Sequence, residues 1–226
     1  MKLLLFDIDG TLLQCGRQVG VAFLEAMQVV YGEIGSLRGV SFAGRTDPAI
    51  VLDILRDHQL SREEILGRLP RMRELYVPRL DETLHVDGMR LLPGVRRLLT
   101  ALAERDDVAL GLITGNWEGG ARVKLSRFEL NEFFAFGAFG DDGVDRAELP
   151  PVAVQRAQEH HGVRFAPEDV LIIGDTVHDV TCAQAHDHPV LGVTTGHATA
   201  EQLREAGADW IAESLALLPP VPHLAD

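Results

Sequence analysis

The feature that most constrains this chain is an apolar run that passes straight into a pair of aspartates: Leu3-Leu-Leu-Phe6, then Asp7-Ile-Asp9-Gly-Thr11. An unbroken apolar run of this length reads as a strand buried on both faces, as in a parallel sheet covered by helices. The same grammar recurs three times. Val108-Ala-Leu-Gly-Leu-Ile113 precedes Thr114-Gly115-Asn116, Val170-Leu-Ile-Ile173 precedes Gly174-Asp175-Thr176, and Pro189-Val-Leu-Gly-Val193 precedes Thr194-Thr-Gly196. Polar groups at the carboxyl ends of such strands converge on one crevice.

Helical periodicity fills the gaps between these strands. It runs from Gly94 to Glu104, Glu118 to Glu129, Pro150 to His161, Thr176 to Ala185 and Thr199 to Ala206. Alternating strands and helices predict an α/β fold with a parallel sheet. The stretch from about Gln14 to His85 departs from this rhythm. It holds helical patterns over Val19–Tyr31, Asp47–His58 and Ser61–Pro78 and no buried strand, so it reads as a helical insertion after the first strand. Residues 1–14 and 86–226 are then the α/β core, and 15–85 the insertion. Pro93-Gly94 marks the return, and the tail from Pro219 reads as a loose end.

Two carboxylates one residue apart at a strand end are costly unless a cation or protons neutralise them, although solvated aspartates in a turn also fit so short a string. Composition narrows the partners. With 34 acidic against 21 basic residues the formal charge is −13, which disfavours nucleic acid and anionic membrane surfaces. Cys15 and Cys182 are too few for a disulfide framework, and no apolar run reaches the roughly 18 residues of a bilayer span. The expectation is a cytoplasmic protein. Oligomeric state is not legible.

Taken together, Asp7-Ile-Asp9-Gly-Thr11, Leu112-Ile-Thr114-Gly-Asn116 and Gly174-Asp175-Thr-Val-His-Asp179 resemble the first, second and fourth motifs of the haloacid dehalogenase superfamily, in order and in strand context. Leu92-Pro-Gly-Val95 and the placement of the insertion resemble the phosphoglycolate phosphatase-like branch, whose helical insertion is a cap on a Rossmann-like core. The resemblance implies a magnesium-dependent phosphatase of a small phosphorylated metabolite, with phosphoglycolate as the first guess. Asp7 would be the nucleophile that forms an aspartyl-phosphate, and Asp9 the general acid and then base. Thr114, Gly115 and Asn116 would hold the phosphoryl group. Magnesium would be bound by Asp7, the Asp9 carbonyl and Asp175, with Asp179 in support. A sugar-phosphate mutase shares Asp7 and Asp9, and a non-catalytic binding module on this fold is the reading from another class. Dehalogenation is disfavoured by Asp9, and Schiff-base chemistry by a cap without lysine.

The family's third motif supplies a lysine before the fourth-motif strand, and this chain has only Lys2 and Lys124. Arg146 is the favoured replacement, since a guanidinium can clamp phosphate bidentately. Lys124 is the rival, set back roughly 12 Å along a helix at ~1.5 Å per residue. In the insertion, Phe42-Ala-Gly-Arg45-Thr-Asp47-Pro48 looks like a loop folded over the substrate. Arg45 would bind a substrate carboxylate or second phosphate, or be solvated, with Asp47 as the N-cap of the next helix.

Overall fold

The computed structural model describes residues 1–32, 34 and 37–225; Glu33, Gly35 and Ser36 of the insertion and Asp226 at the end of the expected core segment lie outside the described residues. The first apolar run is strand β1 (Lys2–Phe6). It is followed by β2 (Leu13–Cys15), α1 (Gln18–Tyr31), α2 (Asp47–Ile54), α3 (Arg62–Thr83) and β3 (Met89–Leu91). Next come α4 (Val95–Ala103), β4 (Val108–Ile113), α5 (Glu118–Ser126), β5 (Gly137–Ala138) and α6 (Leu149–His161). The chain then runs through β6 (Val170–Gly174), α7 (Val177–Gln184), β7 (Val190–Val193), α8 (Ala200–Ala206) and β8 (Trp210–Ala212).

Six strands form one sheet in the order β5-β4-β1-β6-β7-β8, with β1 paired in parallel to both β4 and β6. The strand that carries the two aspartates is therefore central. Its side chains alternate between layers as a strand requires. Leu4 and Phe6 pack with Leu99 of α4 and Leu125 of α5, whereas Leu3 and Leu5 pack with Ala153 of α6 and Val180 of α7. Because both faces are covered, the period-two alternation is invisible in the sequence and only the apolar run shows.

The helices of the insertion form a separate apolar cluster around Phe23, Met27, Ile50, Met72 and Tyr76, joined from the sheet side by Trp117. The chain leaves and re-enters the sheet layer through the short antiparallel ribbon of β2 and β3, in which Leu13 faces Leu91 and Cys15 faces Met89. Both strands are too short to show a pattern of their own. Helix α2 ends at Ile54 rather than His58, and α3 continues past Pro70 and Pro78 to Thr83. A Ser61/Glu64 capping box starts α3, and its buried stripe of Ile65, Met72, Tyr76 and Leu80 outweighs the backbone hydrogen bonds that the prolines remove. No helix among the described residues is long and apolar enough to cross a membrane.

The C-terminal tail is not loose. Val221 and His223 are buried, and the His223 ring contacts the Glu168 carbonyl at 2.8 Å. The segment between β8 and this tail fixes the entry to α4. Gly94 has a φ of 86°, and a methyl group there would overlap the backbone of Leu215 and Ala216. Left-handed backbone costs an L-residue about 1–2 kcal/mol even before such an overlap. Gly94→Ala should therefore lower the melting temperature by about 2–4 °C or more. An unchanged thermal unfolding curve would show that this segment gives way freely.

Candidate active site

Every strand end of the central sheet that was expected to carry chemistry points into one region. Asp7 follows β1, and its amide donates to the Ile173 carbonyl at 2.9 Å, which places its carboxyl beside the end of β6. Behind it lie Asp175, which follows β6, and Asp179, in the first turn of α7. Carboxylate oxygens of all three lie within 4.8 Å of one another, and all three residues are buried. Arg146 is set between them from the turn before α6. Its Nη2 donates to Asp7 Oδ1 at 2.9 Å and to Asp179 Oδ1 at 2.5 Å. One guanidinium against three carboxylates leaves the cluster negative.

The fixed geometry of the other oxygens shows which remain available. Asp179 Oδ2 accepts from the Thr176 amide at 2.9 Å and its hydroxyl at 2.6 Å, closing a capping box at the start of α7. Both Asp179 oxygens are thus committed. Asp175 Oδ2 accepts from the His197 amide at 2.8 Å, while Oδ1 has only Thr11 Oγ1 at 3.4 Å. Burial pushes the Asp7 carboxyl up to about 8; Arg146 opposes the shift, and Asp179, Asp175 and Asp9 add to it. Burial and Asp179 likewise push Asp175 up to about 7. An all-oxygen, acidic and under-neutralised cluster has the donor chemistry of a site for a hard divalent cation.

Asp9 is treated differently. Its carboxyl turns away from the cluster and accepts from Lys124 Nζ at 2.6 Å and from Asn116 Nδ2 at 2.7 Å. Burial disfavours its charge, but the Lys124 ammonium and these hydrogen bonds outweigh burial and hold it below the usual carboxylate range. Asn116 also donates to Thr114 Oγ1 at 2.8 Å and accepts from Lys124 at 2.6 Å, so the end of β4 and helix α5 are tied to Asp9. Lys124 and Arg146 are therefore not alternatives: each holds one of the paired aspartates. Residue spacing along the α5 axis sets Lys124 back from the strand ends, but its side chain runs back toward the helix N-terminus, as helical side chains do.

The loop over residues 42–47 closes the site. Asp47 donates its amide to the Gly115 carbonyl at 2.7 Å, and its Oδ2 accepts the Trp117 amide at 2.7 Å. Thr46 Oγ1 donates to the Val144 carbonyl at 2.5 Å, and Arg146 Nη1 to the Gly44 carbonyl at 3.3 Å. Gly115 is required for this approach, since any side chain there would overlap the Arg45 carbonyl. Thr46, not Asp47, is the N-cap of α2; its hydroxyl accepts from the Ala49 amide at 3.2 Å, leaving the Asp47 carboxyl in the first turn and free to reach across. Burial pushes that carboxyl up to about 7. Arg45 is paired with Asp53 at 3.0 Å, its side chain 32% exposed.

Between loop and strand ends lies a cavity of about 280 Å³, lined at one end by Asp7, Asp9, Thr114, Asn116, Lys124 and Arg146 and elsewhere by insertion residues. Gly115, Arg45, Asp47 and His197 also line it, whereas Asp175 and Asp179 sit behind Asp7. His197, Tyr76 and Phe23 reach the cavity without any sequence signal, because each belongs to a segment that only the fold brings there. Trp117 stacks on Phe23 with centroids 5.7 Å apart and is a packing residue of the insertion cluster.

A family model for haloacid dehalogenase-like hydrolases matches residues 4–193. The chain belongs to that family. Among curated relatives, the phosphoglycolate phosphatase of Photorhabdus laumondii subsp. laumondii is 27% identical over 218 residues, covering 93% of this chain and 88% of that protein. That of Nitrosospira multiformis is 28% identical over 216 residues, covering 95% and 92%. Among solved structures, a hydrolase from Pseudomonas syringae superposes with a TM-score of 0.68 at 20% identity, covering 96% of this chain and 95% of that one. The β-phosphoglucomutase of Clostridium difficile gives 0.69 at 18% identity, covering 96% and 92%. At these identities the structural likeness concerns the fold alone.

The buried carboxyls set a pH dependence. An unfolded aspartate ionises near pH 4, and folding raises Asp7, Asp175 and Asp47 to about 8, 7 and 7. Their protonated forms favour the folded state, so this contribution is full below about pH 4 and is lost as the pH rises through 7 to 8. In chelator, the melting temperature should fall by several degrees between pH 6 and pH 9, and Asp175→Asn should flatten the fall. Thermal unfolding across that range checks it; a melting temperature rising with pH would contradict the assignment.

Proposed function

We propose that this protein is a magnesium-dependent phosphatase of small phosphomonoesters that works through an aspartyl-phosphate on Asp7. In this reading residues 15–85 are a cap over a core of residues 1–14 and 86–226, and the protein acts in the cytoplasm, in keeping with its two free cysteines. The observation that carries the reading is a buried Asp7 carboxyl lining the cavity, braced by Arg146 and backed by two further carboxylates. The names of the curated relatives, phosphoglycolate phosphatases, support the reaction class.

The uncommitted oxygens of Asp7 and Asp175 would hold the magnesium ion, together with the main-chain carbonyl of Asp9. Asp179 keeps Arg146 and the start of α7 in place. When bound, magnesium supplies the positive charge that lets an anionic phosphate approach three carboxylates. An Asp7 oxygen attacks phosphorus, the bond from phosphorus to the ester oxygen breaks, and the departing alkoxide takes the proton that Asp9 carries once substrate is bound; without substrate the Lys124 pair keeps Asp9 a carboxylate. Asp9 then takes a proton from the water that attacks the aspartyl-phosphate, which releases inorganic phosphate and restores Asp7. Thr114 and the Gly115 and Asn116 amides hold phosphoryl oxygens, while Arg146 orients Asp7 and offsets developing charge. Lys124 and Asn116 fix where the Asp9 carboxyl points.

The two aspartates should fail differently when changed to amides. With p-nitrophenyl phosphate, whose phenolate leaves without protonation, Asp9→Asn should accumulate an adduct of about 80 Da in intact-mass spectra after acid quench, and Asp7→Asn should show none. An adduct on the Asp7 variant would refute the nucleophile assignment. Chelator should abolish wild-type turnover and magnesium restore it.

Because each cation braces one aspartate, Arg146→Ala and Lys124→Ala should both lower kcat by about 10² or more. A Lys124 variant with wild-type turnover would remove the lysine from the site.

A further inference from the structure

The side chains that the insertion brings to the cavity form a largely apolar lining, which bears on which alcohol the phosphate leaves from; this inference rests on the phosphatase reading above. Val19, Phe23, Phe42, Ile50 and Tyr76 supply it. The rings form one group, with Phe23 edge-on to Tyr76 at 5.4 Å and to Phe42 at 6.2 Å. Phe42 belongs to the closing loop and is 40% exposed, so apolar ring surface remains for a ligand to cover.

Charge is the second observation. Each cation that lines the cavity already has a carboxylate partner: Arg146 has Asp7 and Asp179, Lys124 has Asp9, and Arg45 has Asp53. His197 stands against Asp175 at 3.3 Å. Among the described residues that line the cavity, no Lys or Arg lacks a carboxylate partner that a substrate carboxylate would have to displace. Beside Arg45, the charged side chain that the insertion brings to this lining is acidic. Asp47 is buried, its Oδ2 is used by the Trp117 amide, and its Oδ1 has no partner among the described residues. A substrate carboxylate here would meet apolar rings and a buried carboxyl with no unpaired cation to offset it, whereas a neutral alcohol would meet rings it can pack against and a carboxyl that can bond a hydroxyl.

We infer that the physiological substrate is the phosphomonoester of an uncharged alcohol with an apolar, ring-sized body, and that carboxylated esters of the phosphoglycolate kind are discriminated against. A cavity of about 280 Å³, at the small end of ligand pockets, suits a body about the size of a single ring. Arg45 lines the cavity but is engaged by Asp53, on the same loop-and-helix unit, and this contact sets the discrimination.

The test compares two esters whose alcohols both leave as alkoxides, benzyl phosphate and phosphoglycolate, on the magnesium-loaded full chain, with p-nitrophenyl phosphate as the measure of phosphatase competence. We expect kcat/KM for benzyl phosphate to exceed that for phosphoglycolate by tenfold or more. Asp53→Ala, which frees Arg45 and touches neither the aspartates nor the apolar wall, should raise kcat/KM for phosphoglycolate about tenfold and leave that for benzyl phosphate within about twofold. Turnover of p-nitrophenyl phosphate with phosphoglycolate equal to or better than benzyl phosphate would overturn this inference and leave the phosphatase reading intact. An Asp53 variant that shifts both esters together would overturn the role given to Arg45 and Asp53. No turnover of p-nitrophenyl phosphate would overturn the phosphatase reading itself, and this inference with it.

Discussion

The structure depends on the way Arg146 is shared between Asp7 and Asp179. A lone guanidinium buried at the carboxyl end of a parallel sheet would be untenable, and so would three carboxylates gathered there without it. The arginine satisfies Asp7 and Asp179 through one nitrogen and reaches the Gly44 carbonyl of the closing loop through another, while its Nε has no hydrogen-bond partner. The same side chain therefore joins the first strand, the start of α7 and the insertion. Because it does not neutralise the whole cluster, the site keeps a demand for a cation, and burial lets the Asp7 and Asp175 carboxyls hold protons above their ordinary range.

The second ion pair divides the work between the aspartates. Asp7 sits in the under-neutralised cluster, whereas Asp9 faces Lys124 and Asn116 and is stabilised as a carboxylate. Residues two apart on an extended chain project to the same side, yet these two have opposite electrostatic surroundings because the backbone turns after β1 and presents them to different elements. Sequence motifs mark both positions without recording this difference, which comes from helix α5 on one side and the turn before α6 on the other.

The insertion contributes in a way that local sequence hides. Its helices pack around Phe23, Met72 and Tyr76 as an amphipathic layer would, and by pattern alone these are core residues. Only the docking of residues 42–47 against Gly115, Trp117 and Val144 turns one flank of that core into the wall of a cavity. Asp47 shows the same shift of meaning: its sequence position suggests a helix cap, but Thr46 takes that place and the Asp47 carboxyl spans to the sheet side.

What the sequence determined by itself is the sheet and the list of polar strand ends. The apolar runs before Asp7, Thr114 and Gly174 are long and unbroken enough to be buried strands, and the three motifs follow them directly. The strands β2, β3, β5 and β8 escaped because segments of two or three residues carry no period. Only tertiary structure decided how the charges pair. Lys124 is more than a hundred residues from Asp9, Arg45 finds Asp53 across a helical turn and His197 finds Asp175 through a later crossover; no spacing rule in one dimension encodes such partners. Pairing depends on side-chain reach and direction in space, and in a buried site that pairing sets which groups are charged and which are left to meet a ligand.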